Sequence, residues 1–178
     1  MPFPRTWSEE LAAEYLQLEG YIVETGHPVQ IEQQGGRREI DVLGFKVEKG
    51  KLKILQLEIG TLSEGKEKNY EKIKRKFSDI VAKEIERIAE KNFPGLKYEW
   101  IKQYVVVPCP SEIDQELKEK LERENIKVLS MDEFYEQVKQ KIKKWKENNR
   151  TKKNIKPTLP NNLWMLKLIE AHEKLFYP

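Results

Sequence analysis

The chain has 178 residues, 38% of them hydrophobic and 35% charged, with a net charge of +3: enough for one domain with a real core, or one domain plus an appendage. A single cysteine, Cys109, excludes an internal disulfide and a cysteine-based zinc site and suits a reducing compartment. The first residues, Met1-Pro2-Phe3-Pro4-Arg5, carry no apolar signal-peptide region and no apolar run approaches a membrane span, so the expectation is a soluble, cytoplasmic protein without a membrane partner.

Charge is unevenly spread. Residues 1–65 carry a net −4 and residues 66–178 a net +7, an asymmetry that leaves room for a polyanionic partner. Lys and Glu supply most of it, a bias associated with thermophilic proteins.

In chain order, Thr6 with Glu9 three residues later is a capping box and predicts a helix from about Trp7, ended by Gly20. Leu11, Ala12, Tyr15, Leu16 and Leu18 are its apolar face. Glu9 shares the side of Ala12 and Tyr15 and can lean toward a sheet; a first-turn carboxylate equally serves as a plain cap. Pro28 to Glu32 reads as a short first strand, and Gln33-Gln34-Gly35-Gly36 as a turn.

Arg38–Phe45 and Leu52–Gly60 read as the two strands of a hairpin, joined through a turn at Lys46–Lys51. Alternation places Asp41 with Leu43 and Phe45 on one face, and Ile54, Gln56 and Glu58 on one face of the next strand. Apolar residues on both faces imply strands buried on both sides, where a carboxylate is costly. Two such acids on neighbouring strands can converge on a divalent cation, for which carboxylate oxygens are suitable ligands. Each alone also fits a solvated edge or a partner for Arg37 or Arg38.

Beyond the hairpin, Lys66 to Asn92 reads as one long helix with Tyr70, Ile73, Phe77, Ile80, Val81, Ile85 and Ile88 toward the core. Lys68, Lys72, Lys74, Arg75, Lys76 and Lys83 make it basic outside, a stripe that fits phosphate contact or a solvated face paired with Glu71, Glu84 and Glu86. Gln103–Val107 is the clearest strand and, following a helix, is expected to run parallel to its neighbour. Ser111 with Asp114 opens a helix through Glu124, Ile126–Leu129 is a short strand, and Ser130 caps a further helix. From Lys139 to Lys156 there are nine basic residues and one acid, with Trp145 among them, a pattern that fits nucleic-acid contact and a solvated linker alike. The expected organisation is a domain over residues 1–147, a basic and polar linker over 148–160, and an apolar helix over 161–178. That helix needs a surface to dock on, either its own domain or a second subunit in a homodimer. His27 and His172 are too few and too scattered for a metal site.

Glu9-x-x-Ala12-x-x-Tyr15-Leu16-x-x-x-Gly20-Tyr21, then Glu39-Ile40-Asp41, then Leu55-Gln56-Leu57-Glu58-Ile59-Gly60 resembles the core of the PD-(D/E)XK nuclease superfamily over roughly residues 6–108. The resemblance implies an α/β fold: a mixed central sheet flanked by helices, with a restriction-endonuclease-like αβββαβ core and here an αβα extension. It implies a nuclease that hydrolyses DNA phosphodiester bonds with Mg²⁺ or Mn²⁺, held by Asp41 and Glu58 and, as in some members, by Glu9. Gln56 would hold Glu58 or a metal-bound water. The family's lysine falls two residues after Glu58, where this chain has Gly60. Some members move that lysine to another element; Lys66 is the first candidate here, because Lys66-x-x-x-Tyr70 has the spacing of a helical motif in RecB-like members, with Lys74 and Lys76 behind it. The alternative is a catalytically inactive nuclease-like module that binds nucleic acid or a protein partner.

Overall fold

The computed structural model describes residues 6–29, 38–108, 112–149 and 157–176. The elements are α1 (Trp7–Leu18), β1 (Ile22–Val29), β2 (Arg38–Glu48), β3 (Lys51–Gly60), α2 (Lys66–Lys76), α3 (Asp79–Asn92), β4 (Tyr98–Val106), α4 (Gln115–Arg123), β5 (Ile126–Ser130), α5 (Met131–Asn148) and α6 (Trp164–Phe176). The five strands form one mixed sheet in the order β1-β2-β3-β4-β5. β2 lies between β1 and β3 and runs antiparallel to both. β4 and β5 follow helical crossovers and join in parallel, as such connections require. The expected α/β fold, a mixed sheet flanked by helices, is the one observed.

Helices cover both faces. α1, α5 and α6 close one side over Val42, Leu55, Leu57 and Val105. On the other side α3 packs on Leu43, Phe45 and Ile54, while α2 and α4 pack on Tyr104, Val106 and Val128. β2 and β3 are thus interior strands buried on both faces, which is why their apolar residues do not alternate cleanly with polar ones.

Several boundaries differ from the sequence reading. The first strand is Ile22–Val29, not Pro28–Glu32, because pairing with β2 recruits the polar Glu24 and Thr25 to the ladder; residues 30–37 lie outside the described residues. The hairpin turn shrinks to Lys49-Gly50, both at positive φ, the geometry a two-residue β-turn demands. β4 starts at Tyr98, its first half too rich in charge to read as a strand alone. Asp114, not Ser111, caps α4 through the Leu117 N–H; Ser111 and Cys109 lie outside the described residues. The predicted Lys66–Asn92 helix is two helices, and the break builds the site described below.

α6 docks on its own chain. Leu159, Leu163, Leu166 and Ile169 join the core cluster formed with α1 and α5. The Glu14 carboxylate, on α1, accepts the backbone N–H groups of Met165 and Leu166 at 3.0 and 2.9 Å and so caps the start of α6. No helix among the described residues is long and apolar enough to cross a membrane.

Candidate active site

The β2–β3 ladder runs from Glu48–Lys51 to Val42–Leu57 and stops there. β3 continues alongside β4 as far as Gly60–Val106. The two strands therefore part just beyond Val42, and the next residues, Asp41 and Glu58, face each other across the opening. Asp41 Oδ2 accepts the Ile59 N–H at 2.8 Å, a donor that the ladder has released. Glu58 lies deeper, with its side chain 1% exposed against 19% for Asp41.

A lysine reaches both acids. Lys76 Nζ is 2.6 Å from Glu58 Oε2, a close ion pair, and 3.5 Å from Asp41 Oδ1. Lys76 is the last residue of α2, and two strand side chains end the helix there. Arg38, on β2, donates to the Arg75 carbonyl at 2.8 Å and to Ser78 Oγ at 3.3 Å. Gln56, on β3, donates to the Lys76 carbonyl at 3.0 Å. In a continuous helix those two carbonyls would accept from Asp79 and Ile80. With them engaged elsewhere, Phe77 closes α2 with a tighter bond to Lys74 and α3 restarts after Ser78. The Arg38 guanidinium at a helix C-terminus is also favourable against the helix dipole.

Gln56 ties the parts together. Its amide donates to Glu58 Oε1 at 2.7 Å as well as to the Lys76 carbonyl, and its own oxygen accepts from Trp100 Nε1 at 3.2 Å. The indole, which can only donate, fixes which way the amide points. Glu58 Oε1 is thereby committed to Gln56, while Oε2 is buried against the Lys76 ammonium.

The electrostatics follow from burial. Desolvation and the neighbouring Asp41 charge push the Glu58 carboxyl up to about 8, against the pull of Lys76 and Gln56. Burial works against the Lys76 ammonium, but Glu58 and Asp41 outweigh it and hold its pKa above the usual lysine range. Burial, then the charges of Asp41 and Glu58, push the Tyr104 phenol above the tyrosine range. Gly60 completes the site by what it lacks: a Cβ there would stand 2.3 Å from the Tyr104 hydroxyl oxygen.

The structure thus brings Asp41, Glu58 and Gln56 together and supplies a cation from Lys76, which the sequence ranked behind Lys66. Lys66 is elsewhere, paired with Asp114 at 3.2 Å and Glu116 at 2.5 Å. Its motif companion Tyr70 donates to Glu124 at 3.0 Å, so this end of α2 is bound to α4 and its neighbourhood rather than to the two acids. Glu9 stays in the first turn of α1, where its N–H donates to Thr6. Among the described residues no three His, Cys, Asp or Glu side chains form a metal-holding group, so the expected Glu9-Asp41-Glu58 set is reduced to its two strand acids.

The basic surfaces are partly spent on ion pairs. Lys74 pairs with Glu124 and Lys72 donates to the Thr61 carbonyl, leaving Lys68, Arg75 and Lys83 exposed. On α5, Lys139, Lys141 and Lys146 pair with Glu136, Glu19 and Glu170, while Lys143 and Lys144 are exposed; Arg150, Lys152, Lys153 and Lys156 lie outside the described residues. A surface cleft of about 830 Å³ beside α2 is lined by as many acids as bases and contains neither Asp41 nor Glu58. His27 serves the β1–α3 contact: its Nε2 is 2.9 Å from Glu84, which the Arg87 guanidinium, with help from His27, holds down to about 2.

No family model matches the chain, and no curated protein does. The site stands on its own geometry.

Proposed function

We propose that this chain is a metal-dependent nuclease hydrolysing DNA phosphodiester bonds, with Asp41 and Glu58 holding the metal and Lys76 as the cation of the site. One observation carries the reading: a helix is broken by two strand side chains at the point that aims its last lysine at two acids in the mouth of a parted hairpin. The resemblance to the PD-(D/E)XK superfamily supports it, with the missing lysine at Gly60 replaced from α2.

The residues fit a hard divalent ion. Both acids offer oxygen donors, and their charge is met in the fold by the single Lys76 ammonium. When bound, Mg²⁺ or Mn²⁺ supplies Lewis-acid polarisation of the phosphoryl oxygens and a more acidic water. The chain's own contribution is positioning and charge. Gln56 keeps Glu58 Oε1 engaged and so leaves Oε2 facing Lys76. The Lys76 ammonium faces the negative charge that grows on the phosphoryl oxygens during in-line attack. Lys68, Arg75 and Lys83, exposed on α2 and α3, are placed to meet backbone phosphates.

A second reading has its own observation. Lys76 alone bridges both acids and offsets their charge without an ion. With glycine at position 60, that favours an inactive nuclease-like module binding nucleic acid or a protein partner.

Cleavage decides between them. Linear, nicked, branched and single-stranded DNAs are offered with Mg²⁺ or Mn²⁺ to wild type, Asp41→Asn, Glu58→Gln and Lys76→Ala. The nuclease reading expects metal-dependent cutting that falls at least about 100-fold in each variant, and a melting temperature that Mn²⁺ raises in wild type but not in the two acid variants. Salt-sensitive binding without cutting, unchanged by the acid substitutions, supports the second reading instead.

A further inference from the structure

Beside the two acids, a strand position without a side chain meets a phenol without a partner. Gly60 lies two residues after Glu58 on the same strand face. A Cβ built there would be 2.3 Å from the Tyr104 oxygen and 3.3 Å from its ring carbon Cζ, so the hydroxyl stands in the space any side chain at position 60 would enter. Tyr104 is the direct register partner of Glu58 across the parallel β3–β4 pair. Its ring is 1% exposed and held among Tyr70, Ile73, Phe77 and Val106. Buried tyrosine hydroxyls usually find a hydrogen-bond partner. Among the described residues no hydrogen bond to this hydroxyl is found, and it is not one of the fully enclosed polar atoms, so it keeps a small contact with solvent.

We propose that Tyr104 is a further catalytic residue, whose hydroxyl, standing in the place a side chain at position 60 would take, donates a hydrogen bond to a non-bridging oxygen of the scissile phosphate. The proposal rests on the nuclease reading above. It divides the work of the site: Lys76 brings positive charge from α2, and Tyr104 brings a neutral donor from β4. No proton is transferred, since a phenol keeps its proton at neutral pH. The bond strengthens as negative charge builds on the phosphoryl oxygens, so its benefit falls on the transition state rather than on binding. It also accounts for glycine at position 60, because a side chain there would displace the donor.

Tyr104→Phe removes one oxygen and keeps the ring. Because no bond to the hydroxyl is found among the described residues, the metal-free melting temperature of this variant should equal or exceed that of wild type. Single-turnover cleavage with Mn²⁺ should fall about 100-fold with the DNA Kd unchanged. Gly60→Ala is the second variant, displacing the hydroxyl without deleting it. Its rate should fall comparably, and the double variant should lose no more than either single one, since one donor is lost once. A Tyr104→Phe protein that cuts at the wild-type rate overturns the proposal and leaves the nuclease reading intact. A lowered melting temperature overturns it too, by showing that the hydroxyl is bonded within the fold. If wild type and Asp41→Asn are equally inert on every DNA, the nuclease reading falls and the proposal falls with it.

Discussion

Glu14 and Glu58 are both sealed from solvent, at 2% and 0% exposure, but the groups around them differ in kind. Each Glu14 oxygen accepts a backbone N–H from the first turn of α6. Those donors are fixed in the chain and leave that acid fully engaged in holding α6 on α1. Glu58 is met by side chains instead: the Gln56 amide on one oxygen and the Lys76 ammonium 2.6 Å from the other. Burial raises the pKa of both acids. Desolvation therefore marks an acid as expensive without saying why it is kept. The partners say that: backbone donors tie an acid to the fold, while side-chain partners can be exchanged for a ligand.

Substituting each acid sharpens the contrast, and Glu14 should show the larger loss of stability. Glu14→Ala leaves two α6 N–H groups without acceptors and should cost about 2–3 kcal/mol in urea denaturation. A change within experimental error would mean that the apolar contacts of Leu163, Leu166 and Ile169 hold α6 unaided.

Glu58→Gln should behave in the opposite way. Burial holds the Glu58 carboxyl up to about 8, so the folded protein keeps a proton that the unfolded chain releases near the ordinary 4.5. Stability of this origin is full below that ordinary value and drains away as pH rises through the folded value. Metal-free wild type should therefore lose stability relative to Glu58→Gln as pH is raised from about 5 to about 8.5. The glutamine carries no such proton, and Lys76 keeps Asp41 as a partner. Glu14 is common to both proteins and cancels. Stability curves that stay parallel across that range would show that Glu58 is comfortable as a carboxylate and that the site stores no charge strain.

The same contrast explains what could be read from the sequence. Asp41 and Glu58 stood out because strand alternation placed each inside an apolar run, a local pattern. Glu14 did not, because its donors come from residues about 150 positions later. Lys76 was passed over because the apolar spacing from Tyr70 to Ile88 runs through the break without a fault. The groups that end α2, Arg38 and Gln56, lie on strands remote in sequence. Ser78-Asp79, an N-cap pair in mid-helix, was the local signal of a restart. Tyr104 was legible as strand core, but its role depends on the space at Gly60, which only the β3–β4 register reveals.

Lys66 should give the smallest effect. It opens α2, where the helix dipole disfavours a cation, and it is held by Asp114 and Glu116 at the surface. Exposed pairs of this kind add little to stability, and here the unfavourable end of the dipole offsets part of what they add. Lys66→Ala should melt with wild type and cut DNA at the wild-type rate, while Lys76→Ala, ten residues along the same helix, does not. The two lysines differ in which acids they meet: Lys66 meets acids open to water, whereas Lys76 meets one acid that is buried and one that is mostly so. A Lys66→Ala protein that loses cleavage while Lys76→Ala keeps it would move the working cation to the other end of α2. It would also restore the helical motif as the guide to the site over the break that aims Lys76.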